Sequence, residues 1–225
     1  MNKFLWKVTN TSLEYVPVTV IKNALSKSKA NEIAEQVKVY SNTDHAKEYQ
    51  KFAADNNPGC WRGFPHEAPD EVPGLTRKNK DLIFDLIKES GTLYKDSWPK
   101  SDHVFQTTYA KEAFQGQDFT IMAWFNINDQ HASNMIHNHH GCLFSGVLYL
   151  QAKDTGPLHL YPENYIRGDT HPMWPYKGIM KHYPDDGDLI LFPSNLAHDV
   201  PANPIEKQRI NMAFNVTVLP KQPQQ

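Results

Sequence analysis

From residue 119 onward the chain runs through five short segments rich in β-branched and aromatic residues: FTIMAWFNIN, CLFSGVLYLQA, PLHLY, GDLILFP and RINMAFNVTVL. Gly, Pro, Asn and Asp clusters separate them, the punctuation expected between short strands. A parallel pairing needs a crossover of a dozen or more residues, usually a helix, and no segment here reads as one. The pattern predicts an antiparallel sandwich or barrel over about residues 103–220, with the architecture of a double-stranded β-helix (jelly-roll, cupin-like).

The first hundred residues carry a different period. In SKSKANEIAEQVKVY, Ala30, Ile33, Ala34 and Val37 recur at helical spacing behind serines that suit an N-cap. DHAKEYQKFAADNN reads as a second helix ending at the turn signal NNPG, and DLIFDLIKESGTLYKDSW as a third, stopped by the proline after Trp98. A chain of 225 residues can bury one sizeable core. We therefore expect one domain over 1–225, mainly β, with a helix-rich part (1–102) flanking the jelly roll. The tail PKQPQQ reads as a frayed end.

A formal charge of −2 offers no broad footprint for nucleic acid or an anionic membrane. Two cysteines, Cys60 and Cys142, are too few for a disulfide framework. The opening MNKFLWKVTN lacks the apolar stretch of a signal peptide, and no run approaches the ~20 apolar residues of a membrane span. The expected setting is cytoplasmic, with a small-molecule or peptidyl partner, no nucleic acid and no membrane; a homodimer is left open.

The chemistry concentrates in NMIHNHHGCLFSGVLYL, where three histidines fall in four positions. In extended backbone, residues two apart share a face, so His137 and His139 can point inward together and form half of a transition-metal site. His140, adjacent to His139, faces the other way in such a segment and stands as the alternative ligand. GDLILFPSNLAHDV offers a third imidazole, His198, expected in a loop beside the rim after a turn at Gly187-Asp188 and a strand from Leu189 to Phe192 that Pro193-Ser194 ends. Arg209 opens an otherwise apolar strand, where a buried guanidinium calls for an anion. That anion is either an acidic small molecule or a structural carboxylate from Asp186, Asp188 or Asp199. Tyr149 or Ser145 on a facing strand could share its binding.

Together WFNIN, NMIHNHHGCLFSGVLYL, GDLILFPSNLAHDV and RINMAFNV resemble the 2-oxoglutarate/Fe(II)-dependent oxygenases, closest to the prolyl-hydroxylase-like branch, over about residues 121–218. The resemblance implies His137, His139 and His198 as catalytic iron ligands. Arg209 becomes the partner of the distal carboxylate of 2-oxoglutarate, assisted by Tyr149. Asn134 takes a pocket-lining place, and Trp124 and Asn126 share strand parity along the wall. The implied cofactors are Fe(II), 2-oxoglutarate as co-substrate and O2. The implied outcome is hydroxylation, with succinate and CO2 as co-products, rather than halogenation, since no small residue replaces the middle ligand. One departure stands out: His139 occupies the slot where the wider superfamily usually has Asp or Glu.

Two other functions fit the same residues. A three-histidine, cupin-type iron dioxygenase would use no oxoacid, and a jelly-roll binding module would keep the site without catalysis. The tract NNPGCWRGFPHEAPDE and the segment RGDTHPMWPYKG around Trp174 and Tyr176 read as surface loops or as lids over the barrel mouth.

Overall fold

A computed structural model describes residues 7–13, 16–44, 46–47, 60–62, 75–96, 119–161 and 179–218. Among the described residues eleven strands are formed, all paired antiparallel. They are β1 (Lys7–Leu13), β2 (Val16–Lys22), β3 (Cys60–Arg62), β4 (Phe119–Asn128), β5 (Asn134–His137), β6 (Phe144–Gln151), β7 (Leu158–Leu160), β8 (Met180–His182), β9 (Leu189–Pro193), β10 (His198–Val200) and β11 (Arg209–Val218). Seven make one sheet in the order β1-β2-β9-β6-β11-β4-β3, and four make a second, β5-β10-β7-β8. This is the two-sheet jelly roll that the spacing of short strands predicts.

Two long helices stand among the described residues, α1 (Lys27–Ser41) and α2 (Arg77–Asp96). Ser26 caps α1 by accepting from the Lys29 N–H at 3.2 Å, satisfying one of the donors that a helix start leaves open. Both helices lie on the outer face of the large sheet. Ile33 and Val37 of α1 and Ile83, Leu86 and Ile87 of α2 share one buried cluster with alternate residues of the central strands. Ile121, Ala123, Phe125 and Ile127 of β4 face the helices, as do Ile210, Met212, Phe214 and Val216 of β11. Tyr94 of α2 donates to the Pro17 carbonyl at 3.1 Å and ties the helix to β2.

Period two then dictates what the opposite face carries. On β11 it presents Arg209, Asn211, Ala213 and Asn215; on β4, Trp124, Asn126 and Asn128; on β6, Ser145, Val147 and Tyr149. The register sets Asn126, Asn211 and Tyr149 in one row across three strands. A polar floor under the second sheet is thus a consequence of which residues the helices cover.

The structure adds strands to the helix-rich first part. KVTNTSL and VPVTVIK form β1 and β2, which extend the large sheet through β9. Their β-branched residues alternate with polar ones over too short a span to stand out beside the helical segments. The short strands β3, β5, β8 and β10 were likewise not separable from loops at three or four residues. Most of the second expected helix lies outside the described residues, as do RGDTHPMWPYKG, PKQPQQ and all of NNPGCWRGFPHEAPDE except its β3 portion. Among the described residues, no helix is long and apolar enough to cross a membrane.

Candidate metal centre and anion pocket

His137 closes β5 and His198 opens β10, and the two are register partners directly across the antiparallel pair. His139 lies just beyond β5, held by a backbone bond from its N–H to the Ser194 carbonyl at 2.7 Å. The turn that follows, with Gly141 at φ +82°, is fixed by Ser194 Oγ donating to the Cys142 carbonyl. These bonds tie the loop after β5 to the turn between β9 and β10, so the three imidazoles converge from two directions. One potential ligand atom from each lies within 4.8 Å of the others. His140 is exposed and lies outside the cluster, so the alternative middle ligand is not the one the fold brings in.

The rings are oriented before any metal arrives. His137 Nδ1 donates to the Met135 carbonyl at 2.6 Å and His198 Nδ1 to the Leu196 carbonyl at 2.8 Å, a carbonyl being only an acceptor. In both rings this leaves Nε2 as the lone-pair nitrogen facing the cluster, the arrangement that fixes the tautomer of metal-ligating histidines. Trp124 packs against His139 at 5.7 Å between ring centroids and Phe192 against His198 at 4.9 Å. Burial, aided by the neighbouring His137 and His139, pushes the His198 pKa down to about 3 against the contrary pull of the Leu196 carbonyl. His198 is therefore a neutral imidazole at physiological pH, the form that binds metal.

A cavity of about 360 Å³ opens between the two sheets, lined by the three histidines at one wall and by Arg209, Tyr149 and Asn211 on the floor. Arg209 is 1% exposed. Its Nε donates to Thr155 Oγ1 at 3.0 Å and its Nη2 to the Thr155 carbonyl, while Nη1 is buried with no partner among the described residues. The turn that receives it is itself pinned: Asp186 accepts from the Ala152 and Lys153 N–H groups at 2.7 and 3.0 Å, and Thr155 Oγ1 donates to the Ala152 carbonyl at 2.6 Å. Gly156 has φ +96°, and a Cβ there would sit 2.9 Å from Arg209 Nη2. Glycine is required at that position both by backbone conformation and by the closeness of the guanidinium.

The candidate carboxylate partners of Arg209 are engaged elsewhere. Asp186 holds the 152–153 backbone, Asp188 takes Lys22 at 2.5 Å and the Asn23 N–H at 3.1 Å, and Asp199 accepts from Tyr161 at 2.7 Å with His159 at 3.0 Å. Arg209 therefore has no carboxylate partner among the described residues. Burial lowers its pKa, opposed by Tyr149 and Cys60, but a guanidinium stays charged. Tyr149 is set by backbone bonds on both sides, its N–H to the Asp188 carbonyl at 2.8 Å and its carbonyl from the Gly187 N–H at 2.7 Å. Burial pushes its phenol pKa up despite Arg209, with Asp188 adding to the rise, so the hydroxyl keeps its proton.

The remaining expected residues take more structural places. Ser145 Oγ donates to Asn215 Oδ1 at 2.7 Å, Asn134 Oδ1 accepts from Asn128 Nδ2 at 3.0 Å, and Asn126 Nδ2 donates to Asn211 Oδ1 at 2.9 Å. Ser145, Asn134 and Asn126 all line the cavity. Sequence reasoning missed Asn211, Thr155 and Gly156. Asn211 was within reach, because it lies two residues after Arg209 in the same strand and so shares its face; nothing in the sequence marks Thr155 as the acceptor of a guanidinium 54 residues away.

Comparison with known proteins follows this geometry. Residues 122–215 match the family described as "Putative 2OG-Fe(II) oxygenase". No curated protein matches the sequence. Among solved structures, a Pseudomonas putida prolyl-4-hydroxylase is similar over 89% of this chain and 91% of its own, with 14% identity and a TM-score of 0.58. HygX from Streptomyces hygroscopicus, solved with nickel and 2-oxoglutarate bound, covers 91% of this chain and 84% of its own at 11% identity, TM-score 0.53. A prolyl hydroxylase from Trichoplax adhaerens, in complex with a hypoxia inducible factor oxygen degradation domain peptide fragment, covers 89% and 84% at 13% identity, TM-score 0.52. Residues 122–215 thus carry the sequence pattern of the 2OG-Fe(II) oxygenases, and the fold is one that prolyl hydroxylases share.

Proposed function

We propose that this chain is a 2OG-Fe(II) oxygenase that binds Fe(II) through His137, His139 and His198, holds 2-oxoglutarate by Arg209 and Tyr149, and hydroxylates a C–H bond of a small molecule or peptidyl residue. The observation that carries the reading is the pairing of two features in one cavity: three convergent imidazoles and a buried guanidinium whose Nη1 has no partner among the described residues. The donor set suits a divalent transition metal, since neutral imidazoles bind iron readily and the two assigned Nε2 lone pairs face the cluster. When bound, iron with 2-oxoglutarate and O2 supplies the oxidant, and the net change is R–H + 2-oxoglutarate + O2 → R–OH + succinate + CO2.

The chain's own residues do the positioning. Thr155 holds two of the Arg209 donor atoms in place, so the guanidinium meets a carboxylate without reorganising. Protonated Tyr149 adds a neutral hydroxyl donor at the same end. The Nδ1 bonds of His137 and His198 would present both rings to a metal in a fixed tautomer, while Trp124 packs on His139 and Phe192 on His198.

The three-imidazole donor set also favours a second reading, an iron dioxygenase that acts without an oxoacid. Succinate release separates them. Incubating the Fe(II)-loaded protein with 2-oxoglutarate and O2 should yield succinate above a metal-free control, and the yield should fall to that control in Arg209→Ala. Iron-dependent O2 uptake without succinate would replace the first reading with the second.

A further inference from the structure

The three ligands and Arg209 leave a second region of the cavity unassigned, and its composition is informative. Among the described residues lining the cavity, Arg209 is the sole formally charged side chain besides the histidines. If 2-oxoglutarate takes Arg209, no lining charge besides the histidines remains for a substrate among the described residues. At the mouth, Met135 and Ile136 line the cavity while 64% and 50% exposed, two of the four large apolar side chains that the described surface leaves open to water. They lie on β5, the edge strand of the smaller sheet, immediately before the ligand His137. Val147, Pro157, Leu158 and Val200 continue the apolar wall inward.

Polar recognition in this region is by amides. Asn126 Nδ2 is spent on Asn211 Oδ1, which leaves Asn211 Nδ2 as a donor and Asn126 Oδ1 as an acceptor on the cavity floor. Desolvating a charged group against these walls with no counter-charge would be costly, whereas an uncharged apolar group gains by leaving water. Exposed contiguous apolar side chains at a cavity rim are the usual mark of a binding surface.

We infer that the substrate presents an uncharged, apolar group to this cavity, packed on Met135 and Ile136 and oriented by the Asn126–Asn211 amide pair. This rests on the reading of Arg209 as the oxoacid anchor. Specificity is then set at residues 135 and 136 by apolar contact, and a substrate charged at the reacting group is rejected.

A matched pair of fluorescent probes tests it: N-phenyl-1-naphthylamine, which is neutral, and 8-anilino-1-naphthalenesulfonate, which adds a sulfonate to the same skeleton. Nickel(II)-loaded protein, which does not turn over, is titrated with each probe with and without saturating 2-oxoglutarate, whose own binding is read from the shift in thermal unfolding. With the oxoacid bound, the neutral probe should bind at least about tenfold more tightly than the anionic one. Met135→Ser/Ile136→Ser should weaken the neutral probe about tenfold, which is about 1.4 kcal/mol, and leave the oxoacid shift unchanged. Displacement of the probe by a capped, uncharged tetrapeptide would place the group on a polypeptide, and displacement by cyclohexanol alone on a free small molecule. Equal or better binding of the anionic probe with the oxoacid bound, or no effect of the double substitution, overturns the inference alone. Absence of any oxoacid shift overturns the Arg209 reading and this inference with it.

Discussion

His198 lies directly opposite His137 across the β5–β10 pair, and each ring donates its Nδ1 proton to the carbonyl two residues earlier in its own strand approach, Leu196 for one and Met135 for the other. The two rings stand 4.3 Å apart between centroids. The same local device, an imidazole bonded to its own i−2 carbonyl, thus orients two rings on separate strands and fixes the tautomer of each.

Removing one ring should therefore remove the site without removing the fold. His198→Ala should weaken Fe(II) or Ni(II) binding by more than about 100-fold, beyond the loss seen when a supporting partner of a ligand is removed. The circular dichroism spectrum should be unchanged. Titration calorimetry under anaerobic conditions measures it; parental affinity in the variant would exclude His198 as a ligand.

Arg209→Lys keeps a charge but loses the planar fork that Thr155 holds. Loss of a charged hydrogen bond is worth about 1.5–3 kcal/mol, so the dissociation constant for 2-oxoglutarate should rise roughly 10–100-fold. Metal affinity should not move. An unchanged oxoacid constant would return Arg209 to a structural role.

Gly156→Ala tests the same anchor through the backbone. At φ +96° the new Cβ is strained and would sit 2.9 Å from Arg209 Nη2, at a cost of roughly 1–3 kcal/mol. We expect a lower melting temperature together with weaker 2-oxoglutarate binding and unaltered metal binding. Weakening of both ligands alike would show a general loss of the fold instead.

His182 makes stability depend on pH. Its ring is inward-facing beside Leu158, 5.9 Å from the Tyr149 ring, and its Nε2 is buried without a partner. Burial, aided by Lys22 and opposed by Asp188 and Asp185, pushes its pKa down to about 4 from an ordinary 6.5. Between those values the unfolded chain takes up a proton that the folded chain refuses. Stability should fall as pH drops from 6.5 toward 4 and show no further loss from this group below that, by a total of about 3 kcal/mol. Urea unfolding of His182→Leu and the parent across this range measures it; the stability difference should grow in the variant's favour as pH falls, and a constant difference would contradict the assignment.

The sequence made the interior of the large sheet legible and left its ends obscure, for physical reasons. β4 and β11 are ten residues each with clear alternation, so their bounds and the inward parity of Trp124, Asn126 and Arg209 follow from period two. α1 shows its buried stripe of Ala30, Ile33, Ala34 and Val37 as spacing predicts. His198, expected in a loop beside the rim, instead opens a three-residue strand paired on both sides. So short a strand has no period to read, and long-range pairing alone defines it. The same holds for the anchor: a buried arginine announces a need for an anion, but Thr155 and Gly156 become its cradle only through the turn that Asp186 holds.

The most direct test is anaerobic addition of Fe(II) and then 2-oxoglutarate to metal-free protein, with the visible absorption recorded after each step. The account predicts that a charge-transfer band of the chelated oxoacid appears only after the second addition, and that it is lost in both His198→Ala and Arg209→Ala. Stoichiometric iron binding with no band on addition of 2-oxoglutarate would contradict it.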